Sequence, residues 1–294
     1  MLSIVITAFQ EAETVGTALD ALLPQLPQEA EILVVCPDPT TMAVVDEYAA
    51  NHPAVHHVAD PQKGKPTALN AGLRAAQGDI VVLTDGDVVV ADDGLAPLLE
   101  PFEDKHVGAV SGRPVTVSPR DTMLGYWSHL LTDGGAHEMR LRRDQAGEFL
   151  VCSGYLLAFR RALVDEVPGD ALAEDAVISH AIARQGYAVR YAPQARVFVK
   201  YPTTYGDWLR QKVRSAGGYT QHYIRQSPVR MRSAWREVFY GSAMALRYPR
   251  TLPELAWTLL LFGARLHLWL LVLISVRLLH RPLSELWQRV ETTK

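Results

Sequence analysis

Cysteine is nearly absent. Cys36 and Cys152 are the only two in 294 residues, which excludes a disulfide framework and suits a reducing, cytoplasmic setting. The opening MLSIVITAF lacks a basic region and a small-residue cleavage site and runs straight into a strand pattern, so no secretory signal is expected. There is no internal repeat and no low-complexity linker. Metalloprotease spacing is missing as well: His137-Glu138 is followed by Met139-Arg140-Leu141 with no second histidine, and reads as a helix surface. The glycine pairs Gly134-Gly135 and Gly217-Gly218 follow no strand, so neither is a dinucleotide fingerprint. His56-His57 reads as structural or solvated, His180 as a packing residue, and Cys152 has no visible activating partner.

What remains is apolar and unevenly charged. A hydrophobic content of 48% over this length is enough to build a large core and excludes disorder. The net charge of -3 hides an asymmetry: residues 1–211 hold 16 Lys+Arg against 28 Asp+Glu, whereas 212–250 hold 8 against 1. That basic block, interleaved with Tyr219, Tyr223, Trp235 and Tyr240 and preceded by Trp208, suits anionic headgroups better than nucleic acid, and no nucleic-acid partner is expected. It leads into an apolar run, Leu255 to Leu279. As a helix at about 1.5 Å per residue the run would reach roughly 37 Å, against a hydrocarbon core of about 30 Å. Arg265 and His267 fall near its middle. A lipid-facing arginine there costs at least about 2.5 to 3.5 kcal/mol, so the run is expected to pack that face on protein, lie shallowly or fold back. Arg247 and Arg250 precede it and Arg277, Arg281 and Arg289 follow, which slightly favours both flanks being cytoplasmic.

The body of the chain alternates. Ser3–Phe9, Glu31–Cys36, Val55–Asp60, Asp79–Thr84 and Val107–Gly112 are β-branched runs, and Thr14–Leu23, Met42–Asn51 and Pro66–Ala76 between them have helical periodicity. Tyr155–Phe159 reads as a strand, Glu174–Gln185 as a helix, and Val189–Tyr191 and Val197–Val199 as two short strands. Beyond about Pro202 no strand pattern returns. The pattern predicts an α/β fold with a mostly parallel, helix-covered sheet.

Within it, IVVLTDGDVVV sets Asp85 and Asp87 inside an apolar run. Open parallel sheets bind ligands beyond the carboxyl ends of their strands, so the two carboxylates belong on a loop at the sheet's rim. There they suit Mg²⁺ or Mn²⁺ carrying a diphosphate; the plainer alternative is a solvated turn. Gly64-Lys65, opening a helix, offers amides and a cation to phosphate. Asp175, in the first turn of the helix after Ala173-Glu174, has the setting of an ionised general base, or of ordinary helix-start chemistry.

The order and spacing of these pieces resemble the family-two glycosyltransferases with a GT-A fold, especially a membrane-associated branch that includes cellulose synthase-like and ceramide glucosyltransferase-like enzymes. The resemblance runs from about Leu2 to Gly218: SIVITAFQEAETVGTALDALL, GKPTALNAGL followed by GDIVVLTDGD, CSGYLLAFRRALV, ALAEDAVISHAIARQGYAVRYAPQARVF, and Gln211-Lys212-Val213-Arg214 as the start of a Gln-x-x-Arg-Trp signature. It implies inverting transfer of a sugar from a nucleoside diphosphate, most often UDP. Asp85 would then face the ribose or metal, Asp87 the divalent cation, and Ala8, Glu11, Asp38 and Lys65 the nucleotide. Ser153 and Gly154 would lie on the acceptor side, Asp175 with Glu174 at the catalytic base, and Gln211 and Arg214 toward the donor or leaving group. Two departures stand out. Val35-Cys36-Pro37-Asp38 keeps one aspartate where many members have an Asp-Asp pair, and Ser215 replaces the signature's tryptophan. The second departure and the single apolar run argue against a processive polymer synthase.

The resulting expectation is a GT-A domain over residues 1–204, basic amphipathic interface helices over 205–250, and a hydrophobic membrane-associated or transmembrane segment with a short basic tail over 251–294. Its function would be metal-dependent transfer to a lipid or lipid-linked acceptor at the cytoplasmic membrane face. A nucleotidyltransferase releasing pyrophosphate and a non-catalytic, membrane-tethered nucleotide-sugar-binding protein are the alternatives.

Overall fold

The computed structural model describes residues 1–219, 221–226 and 234–274. At its centre is β1 (Leu2–Thr7), where Ile4, Val5 and Ile6 have at most 1% exposure, as a strand covered on both faces requires. β2 (Ala30–Cys36) runs parallel to β1, β3 (Val55–Ala59) runs parallel to β2, and β4 (Ile80–Asp85) runs parallel to β1 on its other side. The crossovers are helices α1 (Val15–Leu22), α2 (Pro39–Asn51) and α3 (Lys65–Ala75). Alternation along the strands divides the core into two layers. Ile4 and Ile6 join Val15, Leu19 and Leu22 of α1 and Val45 of α2, while Val5 joins Leu69 and Leu73 of α3 on the opposite face.

The second half is mixed. After the short β5 (Val89–Val90) and α4 (Leu95–Leu99) comes β6 (Val107–Thr116). A continuous helical stretch follows, α5 (Met123–His129), a π-helical segment over Leu130–His137, and α6 (Glu138–Gln145). β7 (Leu156–Arg160), α7 (Glu174–Arg184) and β8 (Ala188–Val199) complete a sheet of order β3-β2-β1-β4-β7-β6-β8-β5. β7 runs antiparallel between β4 and β6, with Leu156 opposite Thr84. The start of β7 is thereby brought to the end of β4.

The fold is the α/β, GT-A-like architecture expected, ending in a long apolar helix. Several expected ends differ: β1 stops at Thr7 and not Phe9, α2 begins at Pro39 and not Met42, and two strand ends differ more. β6 continues past Gly112 through Pro114, and one twelve-residue β8 replaces two short strands. In both places a proline reads as a stop. The sheet accommodates Pro193 within a shift of register between Ser111/Tyr191 and Arg113/Arg196, the kind of irregularity that admits proline in a strand. β5 and α4 are too short for periodicity to reveal.

Four helices close the described chain: α8 (Tyr205–Gly218), α9 (His222–Arg225), α10 (Ala234–Arg247) and α11 (Leu252–Val272). Trp127 organises their packing. It is 2% exposed, its ring centroid lies 5.2 Å from that of Trp208 on α8, and its Nε1 donates to the Trp257 carbonyl of α11 at 2.7 Å. Arg120 adds a two-pronged ion pair to Glu254, Nε–Oε1 2.7 Å and a terminal nitrogen to Oε2 at 3.2 Å. Residues 275–279 of the expected apolar run, with Arg277, Arg281 and Arg289, lie outside the described residues.

Trp127→Ala removes a buried indole and its hydrogen bond together. It should destabilise the protein by about 3–5 kcal/mol, seen as a lower urea midpoint, whereas Trp127→Phe should recover part of the loss.

Candidate active site

β1, β2 and β4 end on one edge of the sheet, and a cleft of about 560 Å³ opens there. The chain departs in opposite directions on the two sides of β1, the position at which open α/β sheets take ligands. Thr7 and Asp85 are register partners at the ends of β1 and β4. Asp85 Oδ1 accepts from Thr7 Oγ1 at 3.0 Å and from Lys65 Nζ at 2.6 Å. Lys65 is the first residue of α3, and the Gly64 before it caps the helix at φ +98°, a conformation that disfavours any side chain. Burial alone would lower the Lys65 pKa, but Asp85 above all, with Glu174 nearby, raises it beyond the usual range and keeps the ammonium charged.

Asp87 lines the same cleft. Between the two aspartates, Gly86 donates its amide to the Thr7 carbonyl at 3.1 Å. A Cβ there would come within 2.6 Å of Glu11 Oε2 and 2.9 Å of Ala8 Cβ. The Asp-Gly-Asp turn therefore packs directly on the loop after β1, and glycine is required by close approach. Among the described residues no group of three or more His, Cys, Asp or Glu side chains gathers into a metal-sized cluster. Two hard carboxylates on one rim nevertheless fit Mg²⁺ or Mn²⁺, cations that take one or two protein carboxylates and complete their shell with substrate phosphates and water.

The only two described non-glycine residues with positive φ are Gln62 at 58°, which lines the cleft, and Gln10 at 53°, between the lining residues Phe9 and Glu11. Each strained turn is held by an aspartate: Gln10 donates its amide to Asp38 Oδ2 and Gln62 donates to Asp60 Oδ1, both at 2.7 Å. Asp38 also caps α2, accepting from the Thr41 amide at 3.0 Å and from the Thr40 and Thr41 hydroxyls at 2.8 Å. Burial opposes its charge, yet these bonds hold its carboxyl at about 2. Ala8, Glu11 and Asp38 all line the cleft, with Asp38 already engaged in shaping it.

α8 closes the opposite side with Gln211 and Arg214. Gln211 Nε2 donates to the Tyr155 hydroxyl at 3.3 Å, and its Oε1 is buried without a hydrogen-bond partner. Tyr155, Lys200, Phe9, Asp60 and Gln62 also line the cleft. None was singled out from the sequence as a donor ligand. Tyr155 and Lys200 stand next to strand ends, β7's start and β8's end, and that position is the signal that could have revealed them.

Glu174 and Asp175, adjacent in the first turn of α7, face different surroundings. Glu174 has Lys65 as its largest stabilising charge, with Arg214 contributing less, and burial still raises its carboxyl. Asp175 Oδ2 accepts from the Gly154 amide at 3.1 Å and Oδ1 from the Ala176 amide at 2.8 Å. Burial raises its carboxyl too, against those amides and Arg140. The segment before β7 is locked onto α7, because the Cys152 amide donates to Ser179 Oγ and Ser179 Oγ donates to the Asp175 carbonyl. Ser153 is 4% exposed and backs this wall, so Gly154 is the more open of the two acceptor-side residues.

The loop leading to α7 is pinned from two sides. Asn70 of α3 exchanges two hydrogen bonds with the Val167 backbone, at 2.7 and 2.9 Å. Gln221 accepts from the Leu172 amide and donates to the Asp170 carbonyl. The helix that carries Lys65 is thereby coupled to the loop that positions Asp175, a role for Asn70 that its sequence context did not disclose. His137 is half-buried, with its Nδ1 2.8 Å from the Tyr191 hydroxyl, and not on an open helix surface. His180 is buried on Phe149, and burial presses its pKa to about 4. Both cysteines are buried free thiols that burial raises to about 12.

The cleft of this GT-A-like sheet joins an Asp-Gly-Asp turn to a helix-opening lysine, while Glu174, Asp175, Ser153 and Gly154 are not among the residues that line it. The model of the family described as glycosyltransferase like family 2 matches residues 1–218, and the chain belongs to that family. It is 26% identical over 230 residues to poly-beta-1,6-N-acetyl-D-glucosamine synthase of Staphylococcus epidermidis, covering 76% of this chain and 56% of that protein. The Staphylococcus aureus synthase is 25% identical over the same shares. The chain thus spans about half the length of these curated relatives. Among solved structures, the mannosyltransferase PcManGT from Pyrobaculum calidifontis, in complex with GDP-Man and Mn²⁺, superposes with a TM-score of 0.65 at 26% identity over 97% of this chain and 82% of that one. Glucosyl-3-phosphoglycerate synthase from Mycobacterium tuberculosis shares the fold, with a TM-score of 0.53 at 18% identity over 78% of this chain and 79% of that one.

Gly86→Ala tests the packing at the rim. The added methyl should cost about 1–3 kcal/mol through overpacking and weaken nucleoside diphosphate binding, and trimming Glu11 to alanine in the same chain should recover only part of the stability, because the Ala8 contact stays. Calorimetric titration and thermal melting of the single and double variants read both effects.

Proposed function

We propose that this chain transfers a sugar, with inversion, from a nucleoside diphosphate sugar to a hydroxyl of a lipid or lipid-linked acceptor at the cytoplasmic membrane face, one residue at a time. The observation that carries the reading is the donor cleft, where Asp85, Asp87, Lys65 and Arg214 gather beyond the ends of parallel strands. Asp175, next to Glu174, accepts from the Gly154 amide of the segment before β7, which this reading takes as the acceptor side. PcManGT, captured with GDP-Man and Mn²⁺, supports a sugar nucleotide and a divalent cation, with uridine and guanosine donors the first two to compare. Placement in the membrane-associated branch with cellulose synthase-like and ceramide glucosyltransferase-like enzymes is part of the same reading, supported by the apolar helix α11.

The diphosphate would lie at the Lys65 end of α3, where a cation and helix amides favour phosphate. Asp87 would hold the divalent cation, which when bound offsets negative charge on the diphosphate. Gln211 Oε1, a buried acceptor, suits a donor hydroxyl. Asp175 takes the proton of the acceptor hydroxyl as that oxygen bonds to the anomeric carbon. The bond from that carbon to the diphosphate oxygen breaks, and its electron pair leaves with the nucleoside diphosphate. Lys65 and Arg214 are positioned to favour that gain of charge more than the bound ground state. The two carboxylates of α7 divide the work, Glu174 orienting the donor-side cations and Asp175 acting on the acceptor.

With purified protein, Mn²⁺ or Mg²⁺, single sugar nucleotides and lipid extract, nucleoside diphosphate should accumulate together with a glycosylated lipid. Release of pyrophosphate would instead indicate nucleotidyl transfer, and no turnover with any donor would indicate a binding protein.

Asp175→Asn should lower kcat by about 10²–10⁴-fold, the usual worth of a general base, while Glu174→Gln should act mainly on the donor KM. Because burial raises the Asp175 carboxyl, and a base works only when ionised, kcat/KM should fall with decreasing pH along a limb placed above the ordinary aspartate value of about 3.9. That limb should vanish from the residual activity of Asp175→Asn.

A further inference from the structure

α11 has a buried stripe and, across the helix, an exposed apolar one that Leu260 and Trp269 flank. Glu254, Thr258, Leu261, Ala264, Leu268 and Val272 are buried, whereas Leu252, Leu255, Leu259, Leu266, Leu270 and Leu273 are 38–83% exposed. Both sets recur at the three-and-four spacing of a helix face. The buried stripe is fastened to the globular body along its length. Glu254 is held by Arg120, Thr258 Oγ1 lies 2.7 Å from the Tyr126 hydroxyl, His267 Nδ1 lies 2.9 Å from the Tyr205 hydroxyl, and Leu268 and Val272 pack with Ala216 of α8.

This fastening decides how the helix meets a membrane. The stretch from Glu254 to Val272 is roughly 27 Å long at about 1.5 Å per residue, close to the whole hydrocarbon thickness of about 30 Å. Were it to cross, α5 and α8 would be drawn into hydrocarbon beside it. α8 carries Arg210, Lys212 and Arg214, and Arg214 lines the donor cleft. Charges at that depth are costly. The same packing accounts for Arg265, which is half-buried and lies three residues before Leu268 and four after Leu261, on the protein side of the helix.

We infer that α11 does not span but lies in the plane of an anionic bilayer surface, with its outward leucine stripe sunk at the boundary between headgroups and acyl chains. Lipid is the occupant that the charge favours. The preceding segment, 212–250, holds 8 Lys+Arg against 1 Asp+Glu, which complements anionic headgroups, whereas a second copy of the chain would bring two such blocks together. An in-plane α11 sets α8, which packs on its buried stripe, one helix diameter of about 10 Å back from the bilayer, with Gln211 and Arg214 facing the cleft behind it.

Single cysteines replacing Leu259, Leu266 and Leu270, labelled with an environment-sensitive fluorophore, test the orientation at exposed sites; Cys36 and Cys152 are buried. In vesicles of phosphatidylglycerol and phosphatidylcholine, quenching by lipids spin-labelled at different depths should place all three labels at one level, about 5–10 Å into the boundary. A progression from the interface at Leu259 toward the bilayer centre at Leu266 would overturn the inference in favour of a span. So would equal binding to pure phosphatidylcholine, or no vesicle binding at all. The triple variant L259Q/L266Q/L270Q should lose at least tenfold in vesicle binding and keep nucleoside diphosphate release from donor and water, and unchanged vesicle binding would count against the stripe. Failure of turnover in the parent chain would refute the enzymatic proposal and leave the depth profile as an independent result.

Discussion

Two parallel strands ending side by side, one at Thr7 and the other at Asp85, place a carboxylate at the rim of an otherwise apolar sheet, and Lys65 at the head of a helix holds it there. Most of the site is arranged around that contact. It keeps the ammonium charged at the mouth of the cleft, fixes the start of the turn through Gly86, and presses the turn against Ala8 and Glu11. Asp87, one step further along, is thereby presented on a short and crowded loop. Lysine offsets part of the cost of two neighbouring carboxylates, and the cation that accompanies a diphosphate would offset more of it.

The sheet's first half could be read from the residues because β1, β2 and β4 are near-continuous apolar runs and β3 a short one whose valines flank two histidines, separated by helical periodicity. The second half could not, because it obeys tertiary context. Pro114 and Pro193 look like terminators but sit within long strands, Pro193 inside a shift of register and Pro114 paired regularly with Val197 just after it, and β7 reverses direction to lie beside β4. The same limit applies to the cleft. Lys65, Asp85 and Asp87 are visible as charged residues at element ends. Tyr155 is an ordinary tyrosine until β7 is known to run antiparallel, and Gln10 and Gln62 carry no mark of their left-handed backbone. Asp38 was recognised as a cleft residue, whereas its service as a helix cap and a brace for Gln10 depends on where α2 begins.

α8 links the chemistry to the surface. One of its sides supplies Gln211 and Arg214 to the cleft, and another packs along α11 through Leu209, Val213 and Ala216. Arg120 with Glu254 and Trp127 with Trp257 secure the far end of that helix. The charge asymmetry in the sequence, an acidic body followed by a basic block, acquires a spatial sense from this arrangement: the basic segment leads into the element with exposed leucines.

The central claim is that Asp87 joins a divalent cation to a diphosphate at this rim. Calorimetric titration of a nucleoside diphosphate into the protein, with and without Mn²⁺, measures that coupling directly. At least tenfold tighter binding with Mn²⁺, lost in Asp87→Ala, is the predicted result; the same gain in both proteins, or none in either, would contradict it.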